Sequence, residues 1–154
     1  MIRNARMEDI KAIYELLKYF ADKGLLLGRS LSSLYDQLRD FKVYVEKDEA
    51  GERVVGCGAL HVCWENLAEI RSFAVAESHQ GRGIGTELAN ACLDEAVSFG
   101  ITRVFTLTYQ PTFFKRLHFR DIDKNELPHK VWSDCIHCPK FPDCNEEALV
   151  WEKS

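Results

Sequence analysis

A glycine-rich turn between an apolar strand and a long amphipathic segment constrains this chain more than any other feature. Residues 68–75 read as a strand, and a polar stretch with Gln80-Gly81-Arg82-Gly83-Ile84-Gly85 follows it. Ile84, Leu88, Cys92, Ala96 and Phe99 then recur at helical spacing, and Gly100 stands where a helix C-terminus wants it. Glycines in such a turn let a ligand approach the backbone and permit φ > 0, while the amides at the helix N-terminus present a positive dipole end. The arrangement suits an anion, a diphosphate in particular. Two familiar nucleotide motifs are excluded. The turn is not G-x-G-x-x-G in a chain-opening βαβ unit with an acidic residue at the ribose distance, and no Gly-Lys-Ser/Thr closes a P-loop. Taken alone, the glycines also fit an ordinary strand-to-helix turn.

The rest of the chain supplies the context. Ile10, Ile13, Leu17 and Phe20 recur at helical spacing behind Glu8 and Asp9, and Gly24 ends that helix. Ser30 is placed to cap a second helix carrying Leu31, Leu34, Tyr35 and Leu38. Alternation at Phe41, Val43 and Val45 predicts a strand over 41–46, the turn 48–51 leads to a strand over 54–64, and Glu65-Asn66 turns into 68–75. Residues 104–108 read as a short buried strand, Pro111 opens a brief helix, 121–145 is polar and irregular, and 147–152 reads as a last strand. A chain of 154 residues, 46% hydrophobic and 29% charged, is one globular domain's worth, and burying roughly 70% of its unfolded surface needs no disulfide. The net charge of −4 argues against a nucleic-acid module, which needs a basic face. No apolar run is long enough to span a membrane, and the N-terminus lacks the apolar core of a signal peptide. The expected location is therefore cytoplasmic, where the six cysteines are thiols or metal ligands first. Cys57, Cys63 and Cys92 lie in apolar segments and read as core residues.

The order of these elements, with Gln80-x-x-Gly83-x-Gly85 between strand and helix, resembles the GCN5-related N-acetyltransferase (GNAT) superfamily over roughly Ile2 to Phe119. The resemblance implies a mixed α/β (α+β) fold over 1–154: a central, mostly antiparallel sheet, splayed at the acetyl-CoA site, with helices on both faces. It implies that Gln80, Gly81, Arg82, Gly83, Ile84, Gly85 and Thr86 wrap the pyrophosphate of acetyl-CoA. Phe73, Ala74 and Val75 on the preceding strand would pair with the pantetheine. Leu27-Gly28-Arg29-Ser30, Ala68-Glu69-Ile70, Leu107-Thr108, Phe113-Phe114 and Leu127-Pro128 are further similar to the acetyltransferase domain of N-acetylglutamate synthases.

Acetyl transfer to an amine needs a neutral nitrogen, a polarised thioester carbonyl and a protonated leaving thiolate. Glu69, on the strand that borders the thioester in this resemblance, is the candidate general base; without the resemblance it reads as an exposed strand charge. The tyrosine that protonates the thiolate in many relatives falls at Phe114, as it does in the synthases. Tyr109 is therefore the candidate acid, with Thr108 and Thr112 as alternatives. His118 stands where a glycine is usual. Arg29 and Arg71 are the candidate ligands for the acceptor's carboxylates, because guanidinium binds carboxylate in bidentate fashion and Arg71 shares a strand face with Glu69. Either arginine alone reads equally as a surface charge, and Lys130 is a third candidate.

Cys135-x-x-Cys138 and Cys144 form the one motif outside the acetyltransferase pattern. The spacing suits a structural zinc ion, with His129 or His137 to complete it, or an iron–sulfur cluster with one non-cysteine ligand; the plain alternative is three loop thiols. The expectation is thus an acetyl-CoA-dependent N-acetyltransferase for a small amino acid, L-glutamate first, in arginine synthesis. The rivals are a GNAT enzyme for another amine or a protein N-terminus, and a non-catalytic module sensing CoA and metal. Neither nucleic acid nor membrane is an expected partner; a homodimer is left open.

Overall fold

The computed structural model describes residues 1–128 and 146–154. Its centre is a seven-stranded sheet in the order β1-β2-β3-β4-β5-β7-β6, antiparallel throughout except for the β4–β5 pair. The strands are β1 (Ile2–Asn4), β2 (Phe41–Asp48), β3 (Gly51–Trp64), β4 (Leu67–Val75), β5 (Arg103–Thr108), β6 (Arg120–Asp121) and β7 (Glu147–Glu152). The helices are α1 (Ile10–Asp22), α2 (Leu31–Asp36), α3 (Ile84–Ser98) and α4 (Pro111–Lys115).

Helix α1 forms because one stripe is apolar: Ile10, Ile13, Leu17 and Phe20 are buried against Leu34 of α2 and against Phe41, Val43, Cys57 and Ala59 of the sheet. Ser30 caps α2 as its sequence suggests, its hydroxyl accepting from the Ser33 amide at 3.1 Å. The opposite face of the sheet carries α3 and α4, where Cys92, Leu93, Ala96 and Phe114 pack on Leu60, Ala68, Ile70 and Val104. Cys57, Cys63 and Cys92 are buried in the core, as expected.

Three details depart from the sequence reading. Strands β1 and β6 escaped it because three and two residues are too few for alternation to register. Strand β3 starts at Gly51, since Glu52 and Arg53 continue the ladder opposite Lys47 and Glu46 although both are polar. Phe99 does not share the buried stripe of α3. It is the C-cap residue, where the chain leaves the helical path, and it is 62% exposed.

Candidate active site

The site begins where the sheet comes apart. Strands β4 and β5 pair only at Ala68–Val104 and Glu69–Phe105, although both continue further. At the point of divergence the Thr106 hydroxyl donates to the Ile70 carbonyl at 2.8 Å, so a side chain takes over from the ladder. Glu69 thus stands on the last paired rung. Beyond it, β4 is ladder-paired on its β3 side only, among the described residues. Two residues of β4, Ser72 and Phe73, fall between the pairs Ala59–Arg71 and Cys57–Ala74, which makes a bulge opposite Gly58. Ser72 takes a left-handed φ of 51° there. Gly58 is what admits the bulge: a Cβ at this position would lie 2.8 Å from the Phe73 ring. Phe73 and Val75 are half-buried, whereas the Ala74 side chain belongs to the core, so only its backbone faces the opening.

The glycine turn follows a short helical turn at Glu77–His79 and closes over the end of β4. Gln80 folds back, its Nε2 donating to the Val75 carbonyl at 3.0 Å. Gly83 is the N-cap of α3 at φ 84°, and no side chain caps the helix. A Cβ on Gly81 or Gly83 would meet nothing within 4 Å, so the turn presents open backbone on its outer side. The amides that begin a 15-residue helix lack intrahelical partners and converge on that open side, with Arg82 and Thr86 exposed beside them. Ile84 contributes only its backbone, because its side chain packs with Val55 and Leu88. This cradle fits a diphosphate.

On the α1–α2 side of the opening two guanidinium groups meet. Arg29 donates from Nε to Ser33 Oγ at 2.9 Å, from one terminal nitrogen to Ser72 Oγ at 2.9 Å, and from the other to Gln37 Oε1. Arg71 donates to the same Gln37 Oε1 at 2.7 Å and lies 3.6 Å from the Glu69 carboxylate. Its Nε is buried with no hydrogen-bond partner among the described residues. Burial, reinforced by the charge of Arg71, pulls the Arg29 guanidinium down to about 10. Sequence reasoning named both arginines but not Gln37, Ser33 or Ser72. An uncharged side chain that holds two cations leaves no local pattern to detect.

Residues 10–119 match the Acetyltransferase (GNAT) family. The chain belongs to that family. It is 41% identical over 97% of its length to an uncharacterized N-acetyltransferase of Chlorobaculum tepidum, covering 94% of that protein. It is 38% identical over 87% of its length to the amino-acid acetyltransferase of Mycobacterium tuberculosis, covering 76% of it. Among solved structures, Rv2747 from Mycobacterium tuberculosis in complex with CoA and NLQ superposes with a TM-score of 0.85 at 32% identity, covering 100% of this chain and 99% of that one. The N-acetylglutamate synthase of Neisseria gonorrhoeae, complexed with coenzyme A and N-acetyl-glutamate, superposes with a TM-score of 0.84 at 27% identity; this chain covers 34% of it and 99% of itself aligns. The protein is an acetyl-CoA-dependent N-acetyltransferase.

This GNAT enzyme departs from the common pattern at α4. Phe114 is buried in a cluster with Phe73, Phe113 and Phe119, ring centroids 5.0–5.7 Å apart, so no hydroxyl exists at that position. Tyr109 is half-buried directly after β5, at the open end of the sheet. The Thr108 hydroxyl accepts from the Gln110 amide at 2.8 Å, which ties it to the turn before α4, and Thr112 is exposed in α4. His118 takes the left-handed φ of 70° that a glycine would adopt freely. Burial pushes the thiols of Cys57 and Cys92 up to about 12, so neither is a nucleophile near neutrality. Among the described residues no cluster of His, Cys, Asp or Glu is placed to hold a metal. Cys135, Cys138 and Cys144, with His129, Lys130 and His137, lie outside the described residues. No helix among the described residues is long and apolar enough to cross a membrane.

Proposed function

We propose that the chain, acting as one cytoplasmic acetyltransferase domain over 1–154, acetylates the α-amine of a small acidic amino acid, L-glutamate foremost, as a step toward arginine. The observation that carries this reading is the convergence of Arg29 and Arg71 on one amide oxygen beside Glu69. Two cations gathered around a neutral acceptor form a site for a carboxylate, and the carboxylate of Glu69 beside them is a site for an ammonium. An α-amino acid carries both groups on one carbon. The names of the relatives, amino-acid acetyltransferase and N-acetylglutamate synthase, support the same class.

In this assignment Glu69 removes the proton from the bound ammonium, and Arg29 and Arg71 hold the acceptor's carboxylates. Backbone amides of the turn 80–86 bind the pyrophosphate of acetyl-CoA, Arg82 and Thr86 flank it, and the free edge of β4 at 73–75 pairs with the pantetheine. Acetyl-CoA supplies an activated acyl group, and direct attack by the amine is the route, since the buried thiols of Cys57 and Cys92 stay protonated near neutrality. Tyr109 is the assigned donor of a proton to the leaving thiolate. Thiol release measured over a panel of amino acids, polyamines and peptide N-termini tests the reading. Glutamate should lead, with kcat/KM at least 100-fold above that for any polyamine, on the order of the loss when a site's charged groups go unpaired. A preference for a cationic amine or a peptide would overturn it.

A further inference from the structure

Next to Glu69 stands a second titratable pair that the mechanism above does not use. In the β3–β4 ladder His61 is the residue directly opposite Glu69. Directly opposite residues in an antiparallel pair project from the same face, with Cβ atoms about 5 Å apart. His61 Nδ1 lies 2.7 Å from Asp40 Oδ2. A carboxylate facing this ring only accepts, so Nδ1 carries the hydrogen and Nε2 is the basic nitrogen. Both side chains are about one-quarter exposed, 27% and 24%, so the imidazole edge reaches water. Asp40 in turn is held close to the guanidinium pair, because its amide donates to the Gln37 carbonyl at 3.0 Å. Among the described residues the charged groups around this imidazole are Asp40 from the turn after α2, Glu69 and Arg71 from β4, and Arg29 from the segment before α2. The charges of Arg71, Asp40 and Glu69 all act on Arg29, and His61 joins this group through its contact with Asp40 and its place opposite Glu69.

We propose that His61, oriented by Asp40, is the exit for the proton that Glu69 takes from the acceptor's ammonium. This rests on the assignment of Glu69 as base. Glu69 lies 3.6 Å from the Arg71 guanidinium, a neighbour that favours the ionised carboxylate and so resists holding a proton through the reaction. The ammonium N–H bond breaks and its proton goes to a Glu69 oxygen, leaving the nitrogen lone pair free to attack. The proton then passes to His61 Nε2, and Glu69 returns to its ionised form. The imidazolium keeps its Nδ1–H on Asp40 and sheds the Nε2 proton to solvent, so the pair is restored for the next turnover. Asp40 is a positioning residue in this scheme; it touches neither substrate.

The experiment is H61A, with H61N as a second variant that keeps a donor toward Asp40 in case H61A does not fold, each assayed over pH 6–9 with and without added imidazole. Both should lose roughly 10- to 100-fold in kcat near neutrality while the KM for acetyl-CoA holds, and the acid limb of the rate profile should change shape. Added imidazole should restore part of the H61A rate, and substituted imidazoles should do so in order of their basicity. D40N should lose less than H61A, and the double variant no more than H61A alone. Wild-type kcat across this range in either variant overturns the proposal. So does a loss that leaves the pH profile unchanged and that no imidazole restores, which marks a structural role. E69Q separates the two assignments. If E69Q is silent while H61A is impaired and rescued, Glu69 is not the base and the relay as written falls; if E69Q is impaired while H61A is silent, the base stands and the relay fails.

Discussion

Arg29 donates to Ser33, Ser72 and Gln37 at once, yet burial and the neighbouring Arg71 pull its guanidinium down to about 10. A cation whose folded value lies below its unfolded one weakens the fold wherever it is charged in both states. That penalty is full below about pH 10 and fades as the pH rises from there toward the ordinary guanidinium value. A carboxylate bound between the arginines favours the charged form, so acceptor binding should be strongest below pH 10 and weaken above it, with proton uptake near that pH. Calorimetric titration of glutamate at pH 8 and pH 10.5 checks both the sign and the uptake; tighter binding at the higher pH would contradict it. Removing the side chain is the sharper test. Arg29→Ala should raise the acceptor KM by about 30-fold or more, equivalent to a loss of about 2–5 kcal/mol, and change the acetyl-CoA KM by less than about threefold. Equal losses for both substrates would assign Arg29 to folding of the α1–α2 segment instead.

At the scale of elements, two backbone irregularities build the site, and each depends on a glycine for a different reason. Gly83 sits at φ 84° with open space around it, so the obstacle to a side chain is conformational and a ligand would meet the added atoms. Gly83→Val places a β-branched residue where φ is positive, and the acetyl-CoA KM should rise at least tenfold with little change for glutamate. Unchanged acetyl-CoA kinetics in a folded protein would remove the turn from the cosubstrate site. Gly58 has an ordinary φ but no room, since its Cβ would press on Phe73. Gly58→Ala should therefore destabilise the protein by about 1–3 kcal/mol in a urea titration. It should lower kcat as well, because the shifted ring moves Ser72, which holds Arg29. A fully stable variant would mean that the bulge does not depend on this contact.

At the scale of the molecule, apolar layers on both faces weld the sheet, and among the described strands it opens between β4 and β5, so a ligand that bridges the opening ties the halves together. CoA at 100 times its Kd should stabilise the fold by about 2.7 kcal/mol, a rise in Tm of about 5–10 °C for a chain of this size. Thermal scans with and without CoA test this, and no shift in the wild-type protein would overturn the assignment of the opening. The features legible in the sequence are those set by short-range periodicity and backbone chemistry. The stripe of α1, the Ser30 cap, the β2–β3–β4 meander, and the glycine turn with the helix behind it all depend on residues within a few positions of one another. Alternation also placed Glu69 and Arg71 on one face of β4. It could not bring Arg29 to Arg71 across 42 positions of chain or set Gln37 between them, because that follows from how the segment around α2 packs on the sheet, nor place His61 opposite Glu69, which follows from strand register. That register runs from the turn at Glu65-Asn66, where Asn66 takes a positive φ, through a shift between Val62 and Trp64, and continues unbroken to the bulge at Ser72. A local pattern decides which face a side chain occupies; only the packed sheet decides which faces meet.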